Sequence, residues 1–249
     1  MLDVAIDAAK KGGELALRYF KNQPKVSYKP DNSPVTKADI ETEKLIRKII
    51  SKKFPDHGII GEELPPVNPK AKYQWVIDPI DGTRDFIRGI PYWAVFIAVL
   101  ENNKPTIGIV HFPVQDLLIS AQKGKGVVFG KKKASLSKTR EIEKARINIG
   151  SVKRYLQNKT YEKSLLGIVK ATEASRSYGN LALIYLLEGK IDAMIEPYGL
   201  IHDYAAPSLI IEEAGGRFSD FKGNFSLTSE NSVFSNGLLH DQVLKILNS

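Results

Sequence analysis

The chain has 249 residues, 43% of them apolar and 26% charged, with no cysteine and a formal net charge of +8. That length suits one large or two fused globular domains with a sizeable core. The missing thiols exclude disulfides, thiolate zinc sites and cysteine nucleophiles. No basic-then-apolar leader opens the chain, and no run approaches the ~18 apolar residues that a membrane span needs, so a soluble, cytoplasmic protein is the expectation.

Residues 2–20 carry Leu2, Ala5, Ile6, Ala9, Ala16, Leu17 and Phe20 at helical spacing. A turn-rich stretch, Lys29–Pro34, follows and reads as a mobile loop. A second helix is expected from about Lys37 to Phe54, with Leu45, Ile46, Ile49 and Ile50 on its buried face. Gly61-Glu62-Glu63 closes a short apolar run. From Trp75 to Phe129 the signal is mostly strand: Trp75–Ile77, Trp93–Leu100, Thr106–Phe112, Leu117–Ala121 and Val127–Phe129. Asn102-Asn103 and Lys123-Gly124-Lys125-Gly126 read as hairpin connections. Further on, strands are expected near Gly167–Val169, Ile191–Ile195, Arg217 and Val233. Helices are expected at about Gly179–Glu188, Tyr204–Ala214 and His240–Leu247. Strands interleaved with helices define an α/β or α+β layered fold. The chain reads as one unit over 1–249, subdivided into 1–140 and 141–249 around Lys138–Arg146.

The stretch Trp75-Val76-Ile77-Asp78-Pro79-Ile80-Asp81-Gly82-Thr83 carries the strongest chemical signal. A buried strand ends on two carboxylates three residues apart. Pro79 cannot continue a ladder and Gly82 frees the backbone. Paired acids of this kind share hard cations, because otherwise their repulsion neutralises one of them. The N–H groups of Gly82 and Thr83 suit an anion. Metal beside an anion pocket points to phosphate-ester chemistry.

Other candidates admit two readings. Glu62 is a surface acid or a ligand. Asp203 is a helix N-cap or a ligand, with Pro207 near the first turn and small residues at 205 and 206 permitting close approach. Asp39 closes a capping box with Thr36, or reaches Thr83 to orient an attacking water; both can hold. Arg176-Ser177-Tyr178-Gly179-Asn180 is a plain helix start or a holder of phosphate or hydroxyls. His57, His111, His202 and His240 form no paired-ligand spacing and read as structural, with His202 adjoining Asp203. The basic residues are dispersed apart from Lys131-Lys132-Lys133, a solvated hairpin flank. No helix-turn-helix or RNP-like string is present, so nucleic acid is a minor hypothesis beside small anionic metabolites. No nucleophile elbow, Walker loop or Rossmann fingerprint occurs.

These motifs, in this order and over nearly the whole chain, resemble the inositol monophosphatase family of metal-dependent phosphatases. The resemblance runs from Asp39 through Gly61-Glu62-Glu63, Asp78-Pro79-Ile80-Asp81-Gly82-Thr83, Lys123-Gly124-Lys125-Gly126 and Arg176-Ser177-Tyr178-Gly179. It continues through Asp203 and Glu213-Ala214-Gly215-Gly216 to Ser235-Asn236-Gly237. It implies a five-layer α-β-α-β-α sandwich, a homodimer, and hydrolysis of a small phosphorylated metabolite with two to three Mg²⁺. Glu62, Asp78 and the Ile80 carbonyl would hold the first ion, and Asp78, Asp81 and Asp203 the second. A looser third would lie near Glu62, reached by Asp39 through water. Thr83 and Asp39 would activate the attacking water, with Glu62 beside them. Gly82 and Thr83 would bind phosphate, and Glu196, Gly179 and Asn180 the rest of the substrate, alongside Asp81 and Asp203. Inositol monophosphate is the first substrate the resemblance implies. The rivals are fructose 1,6-bisphosphate, histidinol phosphate and 3′-phosphoadenosine 5′-phosphate. His202 stands where the family usually has tryptophan, Asn180-Leu181 replaces small residues, and Arg84–Gly89 with Pro91 and Trp93 looks partly like the histidinol-phosphate branch. A reading from a different class is a non-catalytic, basic RNA- or protein-binding module on the same fold.

Overall fold

The structure, a computed structural model, describes residues 1–22, 25–30 and 33–249. The chain forms two compact units: Met1–Lys132 with Ala205–Ile210, and Lys133–Tyr204 with Ile211–Ser249.

The first unit is built on a six-stranded sheet in the order β3-β4-β5-β6-β7-β8. Its strands are β3 (Gly58–Gly61), β4 (Tyr73–Asp81), β5 (Ala94–Glu101), β6 (Lys104–Phe112), β7 (Leu117–Gln122) and β8 (Val127–Phe129). β3 pairs parallel to β4 and the rest are antiparallel. Asn102 and Asn103 both take positive φ, 49° and 62°, as a tight hairpin between twisted strands demands. Two helices, α1 (Leu2–Lys21) and α2 (Lys37–Lys53), cover one face of the sheet. Alternate residues Trp75, Ile77, Val95, Ile97, Val99, Ile107 and Ile109 point into them and meet Ala5, Ala8, Ala9, Ile46 and Ile50. Within the same unit, Ala206 approaches β6 so closely that a Cβ on Gly108 would lie 2.7 Å from its carbonyl oxygen. Of the two small residues at 205 and 206, Ala206 is the one at that approach.

The helix positions agree with the periodicity of the sequence, but the buried face of α2 is more polar than expected. It comprises Ala38, Asp39, Thr42, Glu43, Ile46 and Ile50, while Leu45 and Ile49 are only partly covered. The stretch Lys29–Pro34 joins a short hairpin that the sequence did not announce, β1 (Val26–Tyr28) and β2 (Pro34–Thr36). Asp31 and Asn32, central to the expected mobile loop, lie outside the described residues.

The second unit holds a five-stranded sheet in the order β10-β9-β11-β13-β12. These are β9 (Arg146–Ile149), β10 (Ala174–Arg176), β11 (Ala193–Glu196), β12 (Arg217–Ser219) and β13 (Ser232–Ser235). β9 runs parallel to β10 and β11; β13 runs antiparallel to β11 and β12. This unit also carries α4 (Val152–Leu156), α5 (Lys159–Ala171), α6 (Leu181–Leu187) and α8 (His240–Leu247); of these, α5 and α8 contribute Leu165, Ile168, Val243 and Leu247 to a core with Ile147, Ile195 and Val233.

Two helical regions depart from the expectation. Gly167–Val169 is not a strand but part of α5, whose Asn158 side chain caps the N–H groups of Thr160 and Tyr161. Leu165 and Ile168 are buried while Leu166 and Val169 are exposed, a helical rather than an alternating pattern. The later helix, α7 (Ile201–Glu213), starts three residues before Tyr204. Asp203 is therefore not its N-cap; it sits in the first turn and accepts the Leu200 N–H at 2.6 Å. Pro207 lies inside the helix, not near its first turn. No helix of the described residues is long and apolar enough to cross a membrane.

Candidate active site

β4 brings the two motif aspartates together by breaking its own regularity. Residues three apart on a regular strand point to opposite faces. Here Asp78 pairs with Phe96 and Asp81 with Ala94, so β4 gains one residue over β5 between the acids. This β-bulge restores both side chains to one side. Their carboxylate oxygens come within 4.8 Å of each other, and Glu62, from the loop after β3, brings one within 4.8 Å of Asp78. Asp78 is 2% exposed and accepts the Ile80 N–H at 3.0 Å. Within the bulge Ile80 is fully buried against Ala16, Ala38, Phe86 and Trp93. Phe20, Phe86 and Trp93 pack with ring centroids 5.0–5.6 Å apart beneath it. Burying each such side chain contributes roughly 1.5–3 kcal/mol, which offsets the crowding of charge above. Gly82 then turns the chain at φ 92°, where an L side chain is strained, and opens the short helix α3 (Thr83–Phe86).

Asp39 closes the capping box with Thr36 and also reaches Thr83. It is fully buried, and its Oδ2 accepts from the Thr36 N–H at 2.7 Å and the Thr36 hydroxyl at 2.6 Å. Thr36 Oγ1 accepts the Ala38 N–H, completing a capping box. The other oxygen, Oδ1, faces the Thr83 hydroxyl at 3.3 Å. Thr83 Oγ1 also lies 3.1 Å from the Ile80 carbonyl. Burial pushes the Asp39 pKa up and the nearby Glu62 charge adds to it, against the hydrogen bonds from Thr36. That direction favours a proton acceptor.

Lys29 is a participant that the sequence did not reveal. Its ammonium donates to Glu62 and Glu63, at 2.8 Å each. Burial would lower the Lys29 pKa, but the two carboxylates raise it. Glu63 is pushed up to about 7 by burial and by the Glu62 charge, despite Lys29. The carboxylates thus already draw a cation. A set made of carboxylates and a backbone carbonyl, all oxygen, is the chemistry of a hard ion such as Mg²⁺ rather than of zinc or copper. Glu62, Asp78 and Asp81 could hold such an ion, while the Ile80 carbonyl faces the Thr83 hydroxyl.

In the second unit Glu196, at the end of β11, is half-buried. Asn148 donates to its Oε1 at 3.2 Å and accepts the Tyr178 N–H at 2.8 Å. Asn148 thereby links Glu196 to the turn that carries Gly179 (φ 55°) and Asn180. Burial first, then the charge of Asp203, pushes Glu196 up to about 8. Asn148 was missed because its partners come from a parallel neighbour, with Asn148 in register with Met194. His57, His111 and His240 are structural: Trp75 donates to His57, the Ala9 carbonyl meets His111, and Ser219 and Ser235 flank His240. His202 Nε2 lies 3.9 Å from Asp203.

A cluster of carboxylates that could hold a metal ion, next to a hydroxyl–carboxylate pair, is the arrangement that a metal-dependent hydrolase requires. Comparison with known proteins makes the class specific. The model of the inositol monophosphatase family matches residues 1–249, and the chain belongs to that family, whose members are magnesium-dependent phosphatases. It is 33% identical to a histidinol-phosphatase of Mycobacterium tuberculosis, over all of this chain and 98% of that protein. It is also 33% identical to a fructose-1,6-bisphosphatase/inositol-1-monophosphatase of Thermotoga maritima, over 99% and 95%. Among solved structures, the extragenic suppressor protein suhB of Bartonella henselae superimposes with a TM-score of 0.91 at 29% identity, covering 99% of this chain and 98% of that one. The α/β class and the family fold follow from these likenesses together with the sheets and helices above.

Proposed function

We propose that the chain hydrolyses a small phosphate monoester, inositol monophosphate first, by direct attack of water. The bulge in β4 is the observation that carries this reading: its effect is to hold Asp78 and Asp81 side by side near Glu62. Glu62, Asp78, the Ile80 carbonyl, Asp81 and, by its motif position, Asp203 are the assigned holders of two to three Mg²⁺. Bound Mg²⁺ supplies charge neutralisation for the phosphate and lowers the pKa of a coordinated water. The Thr83 hydroxyl orients the attacking water and relays its proton to Asp39, whose raised pKa suits a general base. Gly82 and Thr83 offer N–H groups to the phosphate. Glu196, Gly179 and Asn180 take the alcohol part of the substrate. A Glu196 pKa of about 8 supports this role, because a neutral carboxyl adds no repulsion to an anionic ligand at pH 7. A cytoplasmic location and a homodimer belong to the same proposal and are supported by family kinship.

Histidinol phosphate is the second reading. It is favoured by the Arg84–Trp93 stretch and by the name of the Mycobacterium tuberculosis relative. Fructose 1,6-bisphosphate follows from the Thermotoga maritima relative, and 3′-phosphoadenosine 5′-phosphate completes the set. The test is phosphate release from these four substrates, with and without Mg²⁺. Metal-dependent release is expected, and the ranking of kcat/KM assigns the substrate. Absence of release from all four would refute the proposed substrate set and return the RNA- or protein-binding reading to the front.

A further inference from the structure

One face of α2 carries Asp39, Glu43 and Arg47, each four residues after the last and so stacked along the helix. Asp39 meets Thr83. Glu43 is fully buried, and among the described residues its hydrogen bonds run to Arg47, Glu63 and Leu64. Its carboxylate accepts the Glu63 N–H at 2.7 Å, the Leu64 N–H at 3.2 Å and Arg47 Nε at 2.7 Å. Arg47 in turn donates to the Leu64 carbonyl at 2.7 Å and the Pro65 carbonyl at 2.9 Å. The residue between these anchors and β3 is Glu62. Its own N–H donates to the Ile77 carbonyl at 3.1 Å, one residue before Asp78. Glu62 is thus held on one side by β4 and on the other by α2. Gly61 makes this possible, since a Cβ there would collide with the Glu43 carboxylate.

A buried carboxylate is an expensive way to hold a loop. Two charges taken out of water gain little net stability over an apolar pair of the same volume. What the Glu43–Arg47 pair provides is geometry: two acceptors and a rigid fork of donors fix both the N–H and the carbonyl groups of the loop.

We propose that Glu43 and Arg47 are positioning residues that set divalent-metal affinity by fixing the backbone that carries Glu62. This inference rests on the metal reading above. The pair keeps Glu62 at its place beside Asp78 before an ion arrives, so that binding does not have to order the loop. Removing either member frees the Glu63–Pro65 backbone and weakens metal binding more than it weakens turnover once metal is saturating.

The experiment is calorimetric titration of Mn²⁺ into metal-stripped protein, for the unsubstituted chain, Glu43→Gln and Arg47→Gln. Steady-state kinetics against Mg²⁺ and a thermal melt without metal accompany it. Gln at 43 keeps the volume but must turn an NH₂ donor toward a backbone N–H or toward Arg47. Each variant is expected to bind Mn²⁺ about tenfold more weakly, the usual cost of losing a group that orients a metal ligand. At saturating Mg²⁺, kcat should stay within about twofold, the signature of lost ground-state binding. Unchanged Mn²⁺ affinity in a folded variant, or a fall in kcat with affinity intact, overturns the proposal. If Glu43→Gln does not fold, the more exposed Arg47 decides alone. Absence of Mn²⁺ binding by the unsubstituted chain would instead refute the metal reading itself, and this inference with it.

Discussion

Replacing Asp39 by Asn separates a helix cap from a catalytic base. The carboxylate has two jobs on two oxygens: Oδ2 takes both donors of Thr36, and Oδ1 faces the Thr83 hydroxyl at 3.3 Å. Asn has the same shape but a single acceptor. Turning its NH₂ toward Thr36 would set donor against donor in a buried cap, so the stable orientation presents Oδ1 to Thr36 and Nδ2 to Thr83. The cap survives, and the expected stability change is no more than about 1 kcal/mol, the scale of an N-cap contribution. Loss of the buried charge works in the same favourable direction, because burial already disfavours the Asp39 anion. At Thr83 the consequence is different in kind. An NH₂ group cannot accept a proton, so the relay from water through Thr83 ends there. Loss of a positioned general base costs roughly 10²–10⁴-fold in rate, or about 3–5 kcal/mol of transition-state stabilisation. The rate effect therefore exceeds the stability effect severalfold, and the two are measured separately: kcat at saturating Mg²⁺ on the best substrate, and the urea midpoint. Thr83→Ala should match Asp39→Asn in rate, while Thr83→Ser should keep most activity. A folded Asp39→Asn protein that loses less than about tenfold in kcat would show Asp39 to be a cap alone and refute the relay.

Two further outcomes are expected. Asp78→Asn and Asp203→Asn should each lower kcat by at least ~10²-fold, because a clamp of shared cations fails when an acid is lost; near-normal turnover in either would remove that residue from the metal site. Burial holds the His240 pKa down to about 4, against an ordinary 6.5. The unfolded chain therefore takes up a proton below pH 6.5 that the folded chain refuses. Stability from this group is complete above that pH and is lost on acidification through pH 4, about 3 kcal/mol in all. Urea midpoints at pH 7 and 4 in His240→Asn should show that much less acid sensitivity than the parent, and an equal slope in both would contradict the assignment.

The sequence made its compact features legible and hid those that depend on distant partners. The strands from β5 to β8 were readable because alternation and turn residues are local, and α1 and α8 because their apolar spacing is helical over their whole length. Gly167–Val169 misled because a short apolar run rich in branched residues suits either element; Asn158, nine residues before Gly167, was the cue to α5. The start of α7 was misplaced by Pro207, since proline is favoured early in a helix but tolerated inside where tertiary packing outweighs the lost N–H.

The same division applies to the candidate site. Asp78, Asp81, Gly82 and Thr83 stand in one string, so their proximity needed no structure. How Asp78 and Asp81 come to face the same way did, because a bulge is a relation between β4 and β5. Lys29 reaches Glu62 across 33 positions and Asn148 reaches Glu196 across 48, and nothing local marks either. Glu43 and Arg47 are the instructive case. Their spacing from Asp39 placed all three on one helix face, and a charged residue on a face that otherwise buries Ile46 and Ile50 is a local contradiction. Charges are seldom fully buried unless paired. A helix that keeps them toward its core must therefore supply donors from elsewhere, and here those donors are the backbone N–H groups that follow Glu62.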